Sequence, residues 1–326
     1  MNYGSRLQKT VPVLFAALSA VASPADAQTY PVKTVRIIVP FPAGAGADRT
    51  TRLFAPKLAE ALGQQFIVDN RAGAAGNIGA QAAARAAPDG YTLLIAPASL
   101  ASSPSLYKNL GFDLARDFDG VALLAAAPFV LAVHPSVPAK SVRELIALAK
   151  AHPGRLTFAS TGVGGTNHLA AELFKSMARI DILHVPYKGT ATAIPDLIGG
   201  QVAMMFTSTV SSLPHVRAGR LRALGITSAK RSLAAKELPT IAESGLPGYE
   251  SGTWFALLAP AGTPREILTR VNTTIAKIAQ MPEIRDRLLA RGAEPLSGTP
   301  GEVEAFVRSE IAKLGKIIRA SGLRAE

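Results

Sequence analysis

Two glycine-rich segments occupy the same place relative to their neighbouring elements, and both are suited to binding an anion. They are residues 41–48 (FPAGAGAD) and residues 161–168 (TGVGGTNH). Each lies between a strand-like run and the start of a helical pattern. Glycine lets a ligand approach backbone N–H groups closely, and a helix N-terminus offers unpaired donors and a partial positive charge. Such a segment can accept a carboxylate or a phosphate.

The pair of segments is stronger evidence than either alone, because tight turns between strands and helices also use glycine for purely structural reasons. On opposite lobes of one cleft, each segment would take one end of a dicarboxylate. Asp48 would then accept a hydrogen bond from a ligand ammonium or hydroxyl group, or only cap its own helix. The residues expected to bind the ligand are Ala43, Gly44, Gly46, Ala47, Asp48, Ser99, Thr161, Gly162, Gly165, Thr166, Asn167, Tyr187 and Thr207.

Other kinds of site lack the spacing that their chemistry requires. Residues 73–79 (GAAGNIG) carry glycines three apart, which is not the G-x-G-x-x-G of dinucleotide-binding loops, and no P-loop sequence occurs. The G-x-S-x-G elbow of a hydrolase is also absent from the sequence. The five histidines are never four apart and there is no cysteine, which argues against a zinc site or a thiol nucleophile. We expect no catalytic residues, no cofactor and no metal.

Two histidines near the second segment are interpreted as structural. His168 stands at a predicted helix start, where it would pack or cap, and His184 ends a strand just before a Val-Pro pair. Tyr187 follows the same strand, and its hydroxyl could point into the cleft.

The elements that must position these segments alternate along the chain. Strand-like runs and helical patterns succeed each other from Val35 onward, which predicts an α/β fold with mostly parallel sheets covered by helices. The apolar run of residues 121–133 contains Pro128, which is difficult to place inside one sheet. We interpret it as a crossover between two lobes. Lobe I is expected to comprise residues 28–125 and 253–326, and lobe II residues 126–252.

The first 27 residues predict export. Arg6 and Lys9 give a positively charged start, residues 11–22 are apolar, and Ala25 and Ala27 frame a small-x-small cleavage site. We expect cleavage after Ala27. A membrane anchor is the alternative, but it needs about 20 apolar residues, and this stretch is shorter.

The composition is that of a basic protein with a substantial core. Of 326 residues 48% are hydrophobic, and the formal net charge is +12. Losing the signal would remove two positive charges and one negative charge from that +12, leaving +11. Positive charge can attract nucleic acid, an anionic membrane or small anions. Because lysine and arginine are scattered and no basic run is interleaved with aromatics, steering of small anions fits better, with a generic solvated surface as the plain alternative.

Several motifs in fixed order resemble the Bug family, the extracytoplasmic solute receptors of tripartite tricarboxylate transporters. The resemblance extends from about Tyr30 to the last helix. Its motifs are residues 38–41 (IVPF) with the loop ending in Asp48, residues 160–164 (STGVG) with His168 and Leu169, residues 184–189 (HVPYKG), residues 239–249 (PTIAESGLPGY) and residues 258–264 (LAPAGTP).

The resemblance implies a type II periplasmic binding protein fold, in which two α/β lobes joined by crossover strands close around a ligand. It also implies that the two loops hold ligand carboxylates through backbone amides and ordered water. The chain departs from the family pattern in the first loop, where Ala45 replaces a glycine. Ala203 replaces a frequent acidic residue, and Leu314 replaces a frequent tryptophan.

We therefore expect a periplasmic, monomeric, non-catalytic binding protein. Its ligand would be a small mono- or dicarboxylate, with amino acids and aromatic acids within that range, and its partners the membrane subunits of a tripartite tricarboxylate transporter. One alternative is a sensory receptor that passes the carboxylate signal to a membrane sensor kinase. The other is a hydrolase or isomerase acting on a carboxylate, which the missing acid–base groups disfavour.

Overall fold

The computed structural model describes Met1 and residues 30–323. The predicted signal with Ala25 and Ala27 lies outside the described residues. Within residues 30–323, no helix is both long enough and apolar enough to cross a membrane.

The described chain is built on two β-sheets. The first sheet has six strands, and from one edge to the other these are β11 (Glu294–Pro295), β4 (Phe118–Ala127), β10 (Thr253–Pro260), β3 (Thr92–Pro97), β1 (Val35–Val39) and β2 (Phe66–Asn70). The second sheet has five, in the order β7 (Leu183–Pro186), β6 (Thr157–Ser160), β8 (Met204–Ser208), β5 (Phe129–Val133) and β9 (Arg222–Ile226).

Helices cover both faces of each sheet. They are α1 (Gly46–Leu62), α2 (Asn77–Ala84), α3 (Ala98–Leu106), α4 (Val142–Ala151), α5 (Thr166–Ala178), α6 (Thr190–Ile198), α7 (Thr209–Arg217), α8 (Arg265–Ala279), α9 (Pro282–Leu289) and α10 (Pro300–Ser321). Two short 3₁₀ turns lie at Ala74–Gly76 and Leu233–Ala235.

Residues of β1 explain how the first sheet is packed. Val35, Ile37 and Val39 join a core with α1, α8 and α9, whereas Ile38 joins the core with α2, α3 and α10. The side chains alternate because successive residues of a strand point to opposite faces. In the second sheet, α4 and α5 cover one face and α6 and α7 the other. The predicted α/β fold class is confirmed, as two three-layer units.

Both sheets are mixed rather than mostly parallel. β1 runs parallel to β2 and β3, and β6 runs parallel to β7 and β8, as the alternating pattern predicts. β10 and β5 run antiparallel to both of their neighbours. These are the strands that enter each sheet from the other one, so no βα unit of their own sheet fixes their direction.

Pro128 separates the two sheets. The chain leaves the first sheet at Ala127 and enters the second at Phe129, so the proline lies between strands and removes no ladder hydrogen bond. The first sheet keeps β4 two residues beyond the expected lobe boundary at 125. Residues of α5 also connect the halves, since Leu169 packs in the core formed with α3 and α10.

Helix starts differ from the sequence predictions in informative ways. The helix expected from Asp48 begins at Gly46, and the one expected from His168 begins at Thr166. At α4, the N-cap Ser141 Oγ accepts the Glu144 N–H, while the Glu144 carboxylate accepts from the Lys140 N–H. Helix α3 was not predicted at all.

Candidate anion-binding site

The two predicted loops follow β1 and β6, the strands at which the chain order of each sheet reverses. From β1 the chain proceeds to β2 on one side, while β3 lies on the other; from β6 it proceeds to β7, while β8 lies on the other side. Ligands of open α/β sheets bind beyond the carboxyl ends of strands at such points. Loop one (residues 41–48) follows β1 and loop two (residues 161–168) follows β6, so both occupy this position.

Loop one is closed by two hydrogen bonds of its own. The Ala45 N–H donates to the Pro42 carbonyl over 3.2 Å, and the Gly44 N–H donates to Asp48 Oδ2 over 2.8 Å. Gly44 has φ +84°, a left-handed conformation that disfavours residues with a Cβ. Ala45 itself has φ −67° and ψ 165°, an extended conformation in which its methyl group causes no backbone strain.

Asp48 points into the protein rather than into the cleft. It is 2% exposed, and its carboxylate also accepts from Arg52 Nε at 2.9 Å and Asn70 Nδ2 at 3.0 Å. Asn70 in turn donates to the Phe41 carbonyl at 3.0 Å. Burial works to raise the pKa of Asp48, but the hydrogen bonds from Arg52, Gly44 and Asn70 outweigh it and lower that pKa. The contacts of Asp48 differ from both roles considered for it: its carboxylate holds loop one through the Gly44 N–H, and it does not cap the helix amides.

Loop two has the same backbone design. The Gly165 N–H donates to the Gly162 carbonyl over 3.3 Å, and Gly164 has φ +75°. The Gly164 N–H donates to the side chain four residues later, here His168 Nδ1 at 2.9 Å. The two loops are therefore local copies of one another, with Asp48 and His168 in equivalent places.

Both loops end in a helix start that no side chain caps. The N-cap residues are Ala45 for α1 and Gly165 for α5, and neither has a group that could accept from the helix amides. The first N–H groups of a helix have no acceptor within it. The amides that this leaves for a ligand belong to Gly46, Ala47, Asp48, Thr166, Asn167 and His168.

One cavity of about 590 Å³ is bordered by residues of both sheets' loops. Its walls are Phe41 of loop one, Ala75, the α3 residues Ser99, Ser102, Ser103 and Leu106, the adjacent Tyr107, and Val163, Gly164 and Gly165 of loop two. No charged side chain is among these lining residues. An anion bound here would be neutralised by backbone dipoles.

Of the residues predicted from sequence, Ser99 and Gly165 line this cavity. Ala43, Gly44 and Gly46 are exposed on loop one beside Phe41, while Ala47 is buried beneath it. In loop two, Thr161 Oγ1 donates to Asn167 Oδ1 at 2.9 Å, which braces the loop from its first residue, and Thr166 opens α5.

Tyr187 and Thr207 lie outside the lining of the cavity. The Tyr187 hydroxyl donates to Asp196 Oδ2 at 2.7 Å, and burial together with this bond raises the pKa of Tyr187 to about 12. Thr207 is 2% exposed within β8, opposite Val130 of β5. A ligand would have to compete with Asp196 for the tyrosine hydroxyl.

Of the serine face of α3, only Ser99 was predicted from the sequence. Ser99, Ser102, Ser103 and Leu106 follow the i, i+3, i+4, i+7 spacing of one helical face. Ser102 Oγ donates back to the Ser99 carbonyl at 2.7 Å. This helical spacing is present in the sequence. It is hard to recognise there because helices are identified by apolar residues at these positions, and three of the four residues here are serines.

Ala75 brings backbone strain to the cavity wall. Ala74 and Ala75 have φ +45° and +54°, both left-handed. Such a conformation costs a residue with a Cβ about 1–2 kcal/mol. Glycine removes that cost, but it destabilises the protein by about 0.4–1 kcal/mol because it increases the conformational entropy of the unfolded chain. We expect Ala75→Gly to raise the free energy of unfolding by about 0.5 kcal/mol in urea titrations. Ala82→Gly, inside α2, should lower it by about 0.5–1 kcal/mol; a loss in both variants would contradict the strain.

The comparison with protein families decides the chain's membership. Residues 50–323 match the tripartite tricarboxylate transporter family receptor, TctC. The chain belongs to the TctC family. It is 38% identical over 313 residues to the protein BugT of Bordetella pertussis, an alignment that covers 95% of this chain and 96% of BugT. The resemblance read from the loop motifs is thereby confirmed.

Solved TctC-type structures agree with the fold. The chain is 40% identical to Rpa4515 of R. palustris, solved with adipate, with a TM-score of 0.75 over 90% of this chain and 99% of that one. MatC of Rhodopseudomonas palustris, solved with bound malate, is 31% identical to this chain. The TM-score is 0.69, and the match covers 89% of this chain and 100% of MatC. A TctC solute-binding protein from Polaromonas is 29% identical to this chain. The TM-score is 0.81, and the match covers 90% of this chain and 100% of the Polaromonas protein.

Membership fixes the general class of this protein. TctC proteins are solute-binding receptors and not enzymes, so the expectation of a non-catalytic binding protein is confirmed. One further related structure, 31% identical, is that of the periplasmic binding protein BugD.

Behind loop two of this TctC receptor lies a stack of three aromatic rings. The His168 and His184 rings are 3.8 Å apart and inclined by 12°, and Phe158 stacks on His184 at 4.8 Å. His184 Nε2 lies 2.6 Å from Ser160 Oγ, which accepts from the Gly162 N–H at 3.1 Å. The structural role predicted for both histidines is what the contacts show.

The stack makes stability depend on pH. The pKa of His184 is lowered from 6.5 to about 4, mainly by burial and to a smaller extent by the electrostatic effect of the neighbouring His168. Because the folded pKa lies below the unfolded one, this contribution is complete above pH 6.5 and is lost as the pH falls toward 4. His184 is partly exposed, so its effect is reduced by solvent. Between pH 7 and pH 5 we expect the free energy of unfolding to fall by about 1 kcal/mol more in wild type than in His184→Phe. Urea unfolding at both pH values measures this, and equal losses would contradict it.

Proposed function

We propose that this receptor captures a small carboxylate in the cavity between its two sheets and holds it through backbone amides. The observation that carries the proposal is the matched pair of uncapped helix starts, one per sheet, behind loops that reach the same cavity. A helix N-terminus carries the equivalent of roughly half a positive charge. This favours an anion, and a carboxylate oxygen can accept from two amides at once.

Chemistry of the related proteins supports the same ligand class. Adipate and malate, seen with two relatives, are both dicarboxylates. The absence of charged groups from the described cavity lining argues that no side chain selects a particular net charge. Mono- and dicarboxylates, including amino acids and aromatic acids, are therefore the proposed range, and hydroxyls of the α3 face contribute selectivity. The net positive charge of the protein raises the local concentration of anions without direct contact.

Closure of two lobes is part of the proposal. Lobe I would comprise residues 28–125 and 253–326, and lobe II residues 126–252. The two crossovers pass side by side, since a Cβ on Gly252 would lie 3.1 Å from the Ala127 carbonyl oxygen. Adjacent crossovers allow a hinge in which few backbone angles change.

We further propose that cleavage after Ala27 yields the mature protein, which is a monomer in the periplasm. Its loaded form would dock on the membrane subunits of a tripartite tricarboxylate transporter. Pull-down of detergent-solubilised membrane subunits by loaded receptor, but not by empty receptor, is the expected result. Capture of a sensor kinase instead would contradict the transport role.

Calorimetry tests the ligand class directly. Adipate, malate and a short monocarboxylate are titrated into the protein, with the diamide of adipate as a neutral control of the same shape. At least one carboxylate should bind, and the diamide should bind at least about 100-fold more weakly than adipate, because it cannot present an anion to the amides. Absence of binding to every carboxylate, together with binding of an uncharged sugar, would overturn the proposal. Mass spectrometry of the natively purified protein identifies the ligand itself.

A further inference from the structure

The hydrogen bond between loop two and His168 fixes the protonation of the imidazole. The Gly164 N–H can only donate, so His168 Nδ1, 2.9 Å away, must be the acceptor and carries no proton. Nε2 therefore carries the proton, and it faces Glu172 Oε1 at 3.7 Å. Glu172 is held in turn by Lys175 Nζ at 2.9 Å.

The imidazole has almost no freedom to leave this position. His168 is 1% exposed, and its ring stacks on His184 of β7 at 3.8 Å and on Phe158 of β6 at 5.9 Å. Stacking sets the plane of the ring, and Glu172 sets its tautomer. Together they aim a single lone pair at the Gly164 amide.

Loop one shows which part of this arrangement is essential. There the equivalent Gly44 N–H donates to a carboxylate oxygen of Asp48 at 2.8 Å. Both loops keep the same glycine turn and the same four-residue spacing, while the acceptor is a carboxylate in one and a neutral ring nitrogen in the other. The shared requirement is an acceptor at the δ position and not a particular charge or ring.

We propose that His168 is a positioning residue for ligand binding, which acts by presenting Nδ1 as an acceptor to the Gly164 amide. This bond holds the turn of loop two and so aims the free amides at the start of α5 into the cavity. The role rests on the proposed function, because positioning matters for affinity only if those amides bind the carboxylate.

Two substitutions separate the acceptor from the ring. His168→Asn keeps an oxygen acceptor at the δ position but removes the ring. His168→Phe keeps an aromatic ring for the stack but removes the acceptor. Both lose the contact with Glu172. Weaker binding by His168→Phe than by His168→Asn therefore reports on the bond to Gly164, because loss of the ring would weaken the Asn variant instead. His152→Phe, at an exposed position, is the matched control.

Calorimetry with adipate and the amide NMR signal of Gly164 provide the two measurements. We expect His168→Phe to bind adipate at least about tenfold more weakly, with His168→Asn and His152→Phe within about threefold of wild type. The Gly164 amide proton should shift upfield in His168→Phe alone. Equal affinities for the Phe variant and wild type, or equal losses for Phe and Asn, would overturn the positioning role.

The NMR measurement keeps this proposal separate from the proposed function. If wild type binds no carboxylate in the panel, the proposed function fails and affinity says nothing about His168. The Gly164 resonance still decides the hydrogen bond: an unchanged resonance in His168→Phe would overturn the positioning role by itself.

Discussion

Replacing Gly165 with aspartate is expected to abolish carboxylate binding without destabilising the protein. Gly165 is the N-cap of α5 with φ −64° and ψ 156°, a conformation open to any residue. An aspartate there accepts from the amides of Asn167 or His168, the same donors offered to the ligand. It both occupies them and repels an arriving anion. Calorimetry with adipate should show at least about a 100-fold loss of affinity.

The stability of the same variant makes the test specific. An aspartate at the N-cap stabilises a helix by only a few tenths of a kcal/mol more than a glycine does. The free energy of unfolding should therefore be unchanged or rise by about 0.3 kcal/mol. A Cβ at this position would lie 3.3 Å from the Gly162 carbonyl oxygen, which requires a small shift. Gly165→Ala introduces that Cβ without a carboxylate and should bind within a few-fold of wild type. Full binding by Gly165→Asp would show that these amides do not hold the ligand.

Asp48→Ala is expected to reduce the free energy of unfolding by about 2–3 kcal/mol. The substitution leaves the Gly44 N–H and the side chains of Asn70 and Arg52 without their shared acceptor. With Asn70 released, the contact to the Phe41 carbonyl weakens as well. Loop one would lose its defined turn, and adipate affinity should fall by about tenfold or more. Urea titration and calorimetry measure the two effects.

The pH dependence and the asparagine variant sharpen this prediction. Because the pKa of Asp48 is lowered in the folded protein, its contribution is present above the unfolded pKa and is lost as the pH falls through the folded pKa. The gap between wild type and Asp48→Ala should therefore narrow in acid. Asp48→Asn keeps an acceptor for Gly44 and should lose less stability than the alanine variant. Equal stability of Asp48→Ala and wild type at pH 7 would contradict the role in loop one.

The loops and the crossover could be predicted because they follow from local chemistry. Glycines between a strand and a helix mark residues 41–48 and 161–168 whatever the rest of the chain does. Pro128 marks the passage between sheets for a similar reason, since proline cannot donate within a central strand. These features depend on the backbone preferences of single residues, and the structure contains all three.

Helix α3 and the closure of the loops could not be predicted in the same way. The α3 segment combines four serines with Pro104, and its buried position in the chain overrides this weak helical preference. Asp48 was left with two possible roles, since a sequence does not indicate that Arg52 and Asn70 converge on its carboxylate. The orientation of Tyr187 toward Asp196 likewise depends on packing between β7 and α6.

The shared layout of the two loops was visible in the sequence, but the equivalence of Asp48 and His168 emerged only from their hydrogen bonds. Aligned residue by residue, the two loop sequences share only the glycine of Gly44 and Gly164, and Asp48 and His168 have no chemical likeness that would pair them. In the structure each accepts an N–H from the glycine four residues earlier. The result is two comparable loops, one held by a carboxylate and one by a neutral imidazole.

A crystal structure of the protein with adipate tests the central claim most directly. We expect a carboxylate group in the cavity bordered by Phe41 and Val163–Gly165, with its oxygens about 2.7–3.1 Å from backbone nitrogens at the start of α5. No lysine or arginine side chain should contact that group. A carboxylate paired with a basic side chain, with the α5 amides bonded only to water, would contradict the account.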